Sequence, residues 1–259
     1  MLRLGRVAFI NTFPVEWALA RHLDPAEVEE VAAVPTELNR MLAARELDVA
    51  NVSSVEYANN PESYVLLPSL CVGSDGAVES VQLVTPLPLP AVRTIAVTSH
   101  SATSVALVRV LVPHAQILPE SETADGRLLI GDAALHSAFS DPTPHHDLGA
   151  LWRERTGLPM VFAVWAAQRD CDPGALARID RALSGAVAEA SEHADLVAAA
   201  AGQRHGFPAG YLARYFEKLR YGFGERERQG LERFYALAAE HGAIAGVPVL
   251  RFADTARVR

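Results

Sequence analysis

The sequence predicts an α/β protein whose two lobes enclose a ligand cleft, on three observations. At 259 residues and 50% apolar, the chain is long enough for one large core or two modest ones. Short apolar runs alternate with helically spaced segments twice over, the pattern of mostly parallel sheets with covering helices. Between the two alternations stands Pro86-Leu87-Pro88-Leu89-Pro90, which breaks regular structure yet is too short for a flexible linker, and so reads as a crossover between lobes.

In the first alternation, residues 6–10 read as a strand, 14–23 as a helix, 28–34 as a strand, 35–44 as a helix and 48–52 as a strand. Cys71-Val72-Gly73-Ser74-Asp75-Gly76 reads as turn-rich, ahead of an alternating strand at 78–85. The second alternation places strands at 94–97 and 128–130 and helices at 103–112 and 133–139. Residues 147–156 are helical, with Gly157 suited to the C-terminal cap, and 160–166 is a buried strand that carries the chain back to the first lobe. The remainder, about 173–242, has helical spacing with breaks near Gly206, Pro208 and Gly222; these helices are expected to pack on the first lobe and add no site. Lobe 1 is therefore expected to comprise residues 1–86 and 167–259, and lobe 2 residues 87–166.

The 23 basic and 31 acidic residues give a formal charge of −8, and the basic ones are scattered, with Lys218 the sole Lys; this argues against a nucleic-acid partner. Arg, Asp or Glu interrupts every apolar run before the roughly 20 residues that span a bilayer, so no membrane span is expected. The N-terminus shows no apolar h-region or cleavage site, so the expected location is cytoplasmic, with the mature chain starting near Met1. Cys71 and Cys171 lie a hundred residues apart and read as ordinary buried or part-buried thiols.

In open α/β sheets ligands sit beyond the carboxyl ends of strands, so the residues there carry most information. They are Asn11 and Thr12 after the first strand and Ser53 and Ser54 after the third, all uncharged hydrogen-bonding groups that also read as turn or cap residues. Ser101, Thr103 and Ser104 crowd three hydroxyls at a helix start, more than one cap requires, where free N–H groups and the helix dipole favour an anion. Asp132 follows a strand and precedes a helix, which suits either an N-cap or a cleft residue. His145-His146 has no further ligands at metal spacing and reads as a solvated loop. No phosphate loop, GxGxxG, GxSxG or HExxH is present, and no metal or cofactor is expected. The strand ends offer hydroxyls and amides without an acid–base pair, a pattern suited to binding a small anion or to catalysis by positioning.

Taken together, these segments resemble the chorismate dehydratase family of the futalosine route to menaquinone. The resemblance runs through Asn11-Thr12-Phe13-Pro14, Val34-Pro35-Thr36-Glu37-Leu38-Asn39, Leu47-Asp48-Val49-Ala50, Ser53-Ser54-Val55-Glu56-Tyr57 and Val78-Glu79-Ser80-Val81-Gln82-Leu83. It continues in Ser101-Ala102-Thr103-Ser104-Val105-Ala106-Leu107, Leu129-Ile130-Gly131-Asp132 and Thr156-Gly157-Leu158-Pro159-Met160-Val161-Phe162-Ala163-Val164-Trp165, covering about residues 5–170. It implies a periplasmic-binding-protein type II fold and removal of water from chorismate to leave 3-[(1-carboxyvinyl)oxy]benzoate. By resemblance, Asn11 and Ser80 map to active-site positions of the first lobe, and Ser101, Thr103 and Ser104 to a carboxylate-binding helix start in the second. Glu79 departs from the pattern, where a basic residue is more usual; on an alternating strand it can turn outward. With no acid–base pair at the strand ends, the substrate's own side-chain carboxylate is the expected base, oriented by Asn11 and Ser80. The competing readings are a small-anion solute-binding or sensory protein, and the related lyase that forms 1,4-dihydroxy-6-naphthoate.

Overall fold

A computed structural model describes residues 1–255 and contains two mixed β-sheets with helices packed around them. The chain opens with strand β1 (Leu2–Val7), followed by a 3-10 turn (Ile10–Thr12) and helix α1 (Phe13–Leu19), then β2 (Val28–Ala33), α2 (Pro35–Ala43), β3 (Val49–Ser53), α3 (Ser54–Asn59) and β4 (Tyr64–Ser74). The second sheet is built from β5 (Val81–Val84), β6 (Thr94–Val97), β7 (Gln116–Pro119), β8 (Gly126–Ile130) and β9 (His145–Asp147), with helices α4 (Ala102–Leu111), α5 (Gly131–Ser140) and α6 (Leu148–Thr156). The chain then returns through β10 (Met160–Gln168) and ends in α7 (Pro173–Glu192), α8 (Ala194–His205), α9 (Ala209–Lys218), β11 (Leu219–Gly222) and α10 (Glu225–Glu240).

Local sequence accounts for most boundaries. Pro14 and Pro35 stand in the first turns of α1 and α2, where a missing N–H costs nothing. Asp147 and Asp172 cap α6 and α7 through their carboxylates, and Gly157 and Gly206 end α6 and α8 in the left-handed region, as the sequence indicated for Gly157 and the break near Gly206.

The first sheet has the order β11-β4-β10-β3-β1-β2 and the second β7-β6-β8-β5-β9. β1 runs parallel to β2 and β3, and β6 runs parallel to β7 and β8. β10 is antiparallel to both neighbours, and so is β5. Each is the first strand after a passage between lobes, so it enters its sheet from the opposite end; this makes the sheets mixed where a mostly parallel one was expected. Sheet membership changes between Ser74 and Val81 and again between Asp147 and Met160, ahead of the boundaries expected at 86 and 166. The proline-rich stretch lies inside the second lobe.

Three further differences have physical causes. β4 extends through Cys71–Ser74, read from sequence as turn-rich, because Gly73 lets the strand close on β10: a Cβ there would stand 2.4 Å from the Met160 carbonyl oxygen. β1 begins four residues earlier than expected, and Ile10 falls in the 3-10 turn. His145 and His146 form the edge strand β9 rather than a loop, with His145 bonded to Ser137 Oγ at 2.9 Å and the Thr143 carbonyl at 2.6 Å.

The larger apolar core runs through both lobes, from Leu38 and Val52 to Leu83, Leu107 and Trp152, and the smaller fills the space between the first sheet and α1 and α7. Cys71 is fully buried and its thiol donates to the Gly222 carbonyl at 3.3 Å, while partial burial pushes the Cys171 thiol up to about 11. No helix among the described residues is long and apolar enough to cross a membrane.

Candidate active site

A narrow cavity of about 50 Å³ lies between the sheets, where β1, β3 and β10 of the first lobe face β5, β8 and the start of α4 in the second. Its polar lining comprises Asn11, Asn51, Ser53, Ser80, Ser101 and Ser104, set among Val7, Phe9, Val72, Ile130 and Phe162. No ionisable side chain lines it among the described residues. A wider groove of about 770 Å³ runs between α4 and the first lobe's Thr36, Val55 and Asn59 and shares Ser101, but the buried unpaired amide atoms of Asn11 and Asn51 lie in the narrow cavity.

Each hydroxyl is positioned by a defined set of bonds. Ser53 caps α3, accepting from the Glu56 N–H at 3.2 Å and from Asn39 Nδ2 at 2.9 Å, while its own N–H donates to Asn39 Oδ1. With both lone pairs engaged, its O–H remains to donate into the cleft. Ser101 caps α4, accepting from the Ser104 N–H at 3.3 Å and donating to Ser104 Oγ at 2.9 Å, which leaves the Ser104 proton free for a ligand. Two directed hydroxyls therefore face the cavity beside the positive end of α4.

Ser80 is held by a tight turn. Asp147 Oδ2 accepts from the N–H groups of Val78 at 3.0 Å and Glu79 at 2.6 Å and from Gln82 Nε2 at 2.9 Å, while Oδ1 caps α6 at Ala150 N–H, 3.0 Å away. This binding fixes Glu79 at φ +58°, with its carboxylate turned away from the cleft into an ion pair with Lys218. The departure at Glu79 thus leaves the cavity wall neutral. Behind Ser80, Gly131 donates its N–H to the Ser80 carbonyl at 2.8 Å. Gly131 has φ +56°, and a Cβ would stand 3.1 Å from the Phe9 ring, so both backbone and space call for glycine.

The 3-10 turn carrying Asn11 is fixed from two sides. Asp132 Oδ1 accepts the Ile10 N–H at 3.0 Å, and the Tyr221 hydroxyl donates to the Asn11 carbonyl at 2.6 Å. Asn11 Oδ1 is buried without a partner. The helical tail, expected to add no site, supplies no cavity residue but holds the site from behind through Tyr221 and Lys218. Tyr215 from the same segment is fully buried beside Ser80; burial pushes its phenol pKa up, and nearby Ser80 offsets this in part.

Of the residues singled out from sequence, the structure brings Asn11, Ser53, Ser80, Ser101 and Ser104 together. Ser54, Thr103 and Asp132 lie apart from the cavity. Ser54 Oγ donates to the Val161 carbonyl at 3.1 Å and meets Thr103 Oγ1 at 3.1 Å, and Thr103 Oγ1 accepts the Val55 N–H at 3.2 Å, so the pair forms a buried joint between α3 and α4. Asp132 stands inside the first turn of α5 and caps the first lobe's turn, not its own helix, with His205 3.3 Å away on its other oxygen. Asn51 was missed. It is 1% exposed in β3 and its Oδ1 and Nδ2 both lack partners. A polar residue of poor strand propensity inside an apolar strand is the signal that marks it.

A sequence model of a family described as menaquinone biosynthesis matches residues 2–240. The chain is 36% identical to a chorismate dehydratase of Thermus thermophilus, over 78% of this chain and 83% of that protein. It is 31% identical to a 1,4-dihydroxy-6-naphtoate synthase of the same organism, over 74% and 75%. Among solved structures it resembles a protein of Archaeoglobus fulgidus, with a TM-score of 0.79 at 21% identity, covering 94% of this chain and 98% of the other. It also resembles the periplasmic aliphatic sulphonate binding protein of Escherichia coli, with a TM-score of 0.67 at 12% identity over 100% and 96%. The fold is that of the periplasmic binding proteins.

Proposed function

The chain belongs to the menaquinone-biosynthesis family, and from that premise we propose that it is a chorismate dehydratase, a carbon–oxygen lyase that converts chorismate to 3-[(1-carboxyvinyl)oxy]benzoate and water. The observation that carries this reading is the neutral cleft: hydroxyls and amides meet there, and no side-chain acid or base does among the described residues. Such a wall accepts a dianion without like-charge repulsion and leaves the proton chemistry to the substrate.

The C–H bond to be broken is conjugated through a double bond to the ring carboxylate, so negative charge develops on that carboxylate as the proton leaves. The free O–H of Ser104 and the start of α4 stabilise it there. The substrate's side-chain carboxylate, tethered next to the departing proton, takes it, with Asn11 and Ser80 holding the tether in reach. The electron pair of the C–H bond becomes a ring double bond, the C–O bond breaks, and the departing hydroxide with the proton makes water. On this reading the enzyme works in the cytoplasm on a small diacid, without metal or nucleotide.

The test is to incubate purified protein with chorismate and a chelator and to identify products by mass. Catalytic loss of one water supports the proposal. Recovery of unchanged, stoichiometrically bound chorismate points to a binding protein, and turnover of the naphthoate precursor in its place points to the later lyase.

A further inference from the structure

Asn51 lies midway along β3 between the buried Ala50 and Val52, in the wall of the cleft. Both ends of its amide are buried and bare. Stranding a donor and an acceptor on lobe closure is costly, so the closed cleft calls for a partner that supplies one of each. The dehydratase reading, on which this inference rests, limits the candidates. The carboxylates and ether oxygen of chorismate only accept, whereas its ring hydroxyl both donates and accepts. A carboxylate at Asn51 would satisfy Nδ2 and set negative oxygens against Oδ1. The need at Asn11 differs, because there Oδ1 alone is buried and bare. A half-turn of the Asn11 amide presents Nδ2–H at that place, ready for a carboxylate, whereas a half-turn at Asn51 changes nothing.

We propose that Asn51 reads the ring hydroxyl of the substrate, Oδ1 accepting the hydroxyl proton and Nδ2–H donating to the hydroxyl oxygen. Asn51 then selects a hydroxylated ring diacid over its deoxy counterpart. Dehydration removes the group it holds, so the contact ends when product forms.

Two ring-saturated chorismate analogues test this, one with the ring hydroxyl and one without; neither reacts, because no conjugated double bond acidifies the C–H. Their binding is measured by calorimetry to wild type, Asn51→Leu and Asn51→Asp. Wild type is expected to bind the hydroxylated analogue at least about tenfold more tightly. Asn51→Leu, close in volume and without bare polar atoms, is expected to bind both equally and to melt no lower than wild type. Asn51→Asp keeps the acceptor, loses the donor and adds charge beside a dianion, so it weakens both. Equal binding by wild type, or a preference that survives in Asn51→Leu, overturns the assignment and leaves the diacid cleft standing. Failure of wild type to bind either diacid removes the substrate class and the assignment with it.

Discussion

Replacing Asp147 removes the anchor of the turn that presents Ser80. Its carboxylate caps α6 and accepts the Val78 and Glu79 N–H groups and Gln82 Nε2. In Asp147→Ala the lost cap costs about 1 kcal/mol, and stranding amides of the tight turn that met a charged acceptor adds about 2 kcal/mol. A total near 3 kcal/mol lowers Tm by about 6–12 °C for a chain of this size. Asp147→Asn separates the cap from the turn, since its amide oxygen can still cap α6 while its N–H groups face the donors Glu79 N–H and Gln82 Nε2. It is expected to keep the cap but to lose about 2 kcal/mol, or about 4–8 °C, as the turn shifts, and a displacement of about 1 Å at Ser80 costs about a hundredfold in kcat. Thermal melts and steady-state kinetics on chorismate read the two effects. Wild-type kcat in Asp147→Asn, or an Asp147→Ala protein that melts like wild type, would refute the role given to this carboxylate.

Other outcomes follow from the placement of particular side chains. Thr103→Val strands the Val55 N–H in the joint between α3 and α4 and is expected to cost about 2 kcal/mol, or about 4–8 °C. Ser104→Ala, facing the cavity, is expected instead to lower kcat about a hundredfold with little change in melting, and the reverse pattern would place the two hydroxyls wrongly. Gly131→Ala forces a side chain onto φ +56° against Phe9, so it is expected to destabilise by about 1–2 kcal/mol and to raise KM through the displaced ring. Burial raises the Asp180 pKa above its ordinary 3.8, with hydrogen bonds from Ser69 offsetting part of the shift. The folded state therefore holds the proton more tightly than the unfolded state, and stability falls as pH rises through the window above 3.8. Asp180→Asn is expected to gain Tm relative to wild type above that window and to lose the advantage on acidification. A difference independent of pH would contradict the assignment.

What was legible in the sequence is what local chemistry dictates. Prolines at the starts of α1 and α2, the left-handed Gly157 and the unbroken apolar run of β10 mark their elements without help from the rest of the chain. Ser101 and Ser104 were found because a crowd of hydroxyls at a helix start is itself unusual. What depends on distant partners was not legible. Gly73 reads as a turn until β10 is placed against it, and Asp132 reads as a cap for its own helix until the Ile10 N–H arrives from the other lobe. Thr103 belongs to the same hydroxyl cluster as Ser104, yet helical rotation points it at α3 instead of the cleft. The tail's contribution through Tyr221 joins positions 210 residues apart, beyond the reach of any local pattern.

The central claim is that a neutral cleft leaves the substrate to act as its own base. It is tested most directly with a chorismate analogue that retains the ring, hydroxyl and ring carboxylate but lacks the side-chain carboxylate. The analogue is expected to bind in the cleft and to release no water on a timescale where chorismate is consumed. Aromatisation of that analogue at the rate of chorismate would contradict the claim and require a base from the protein.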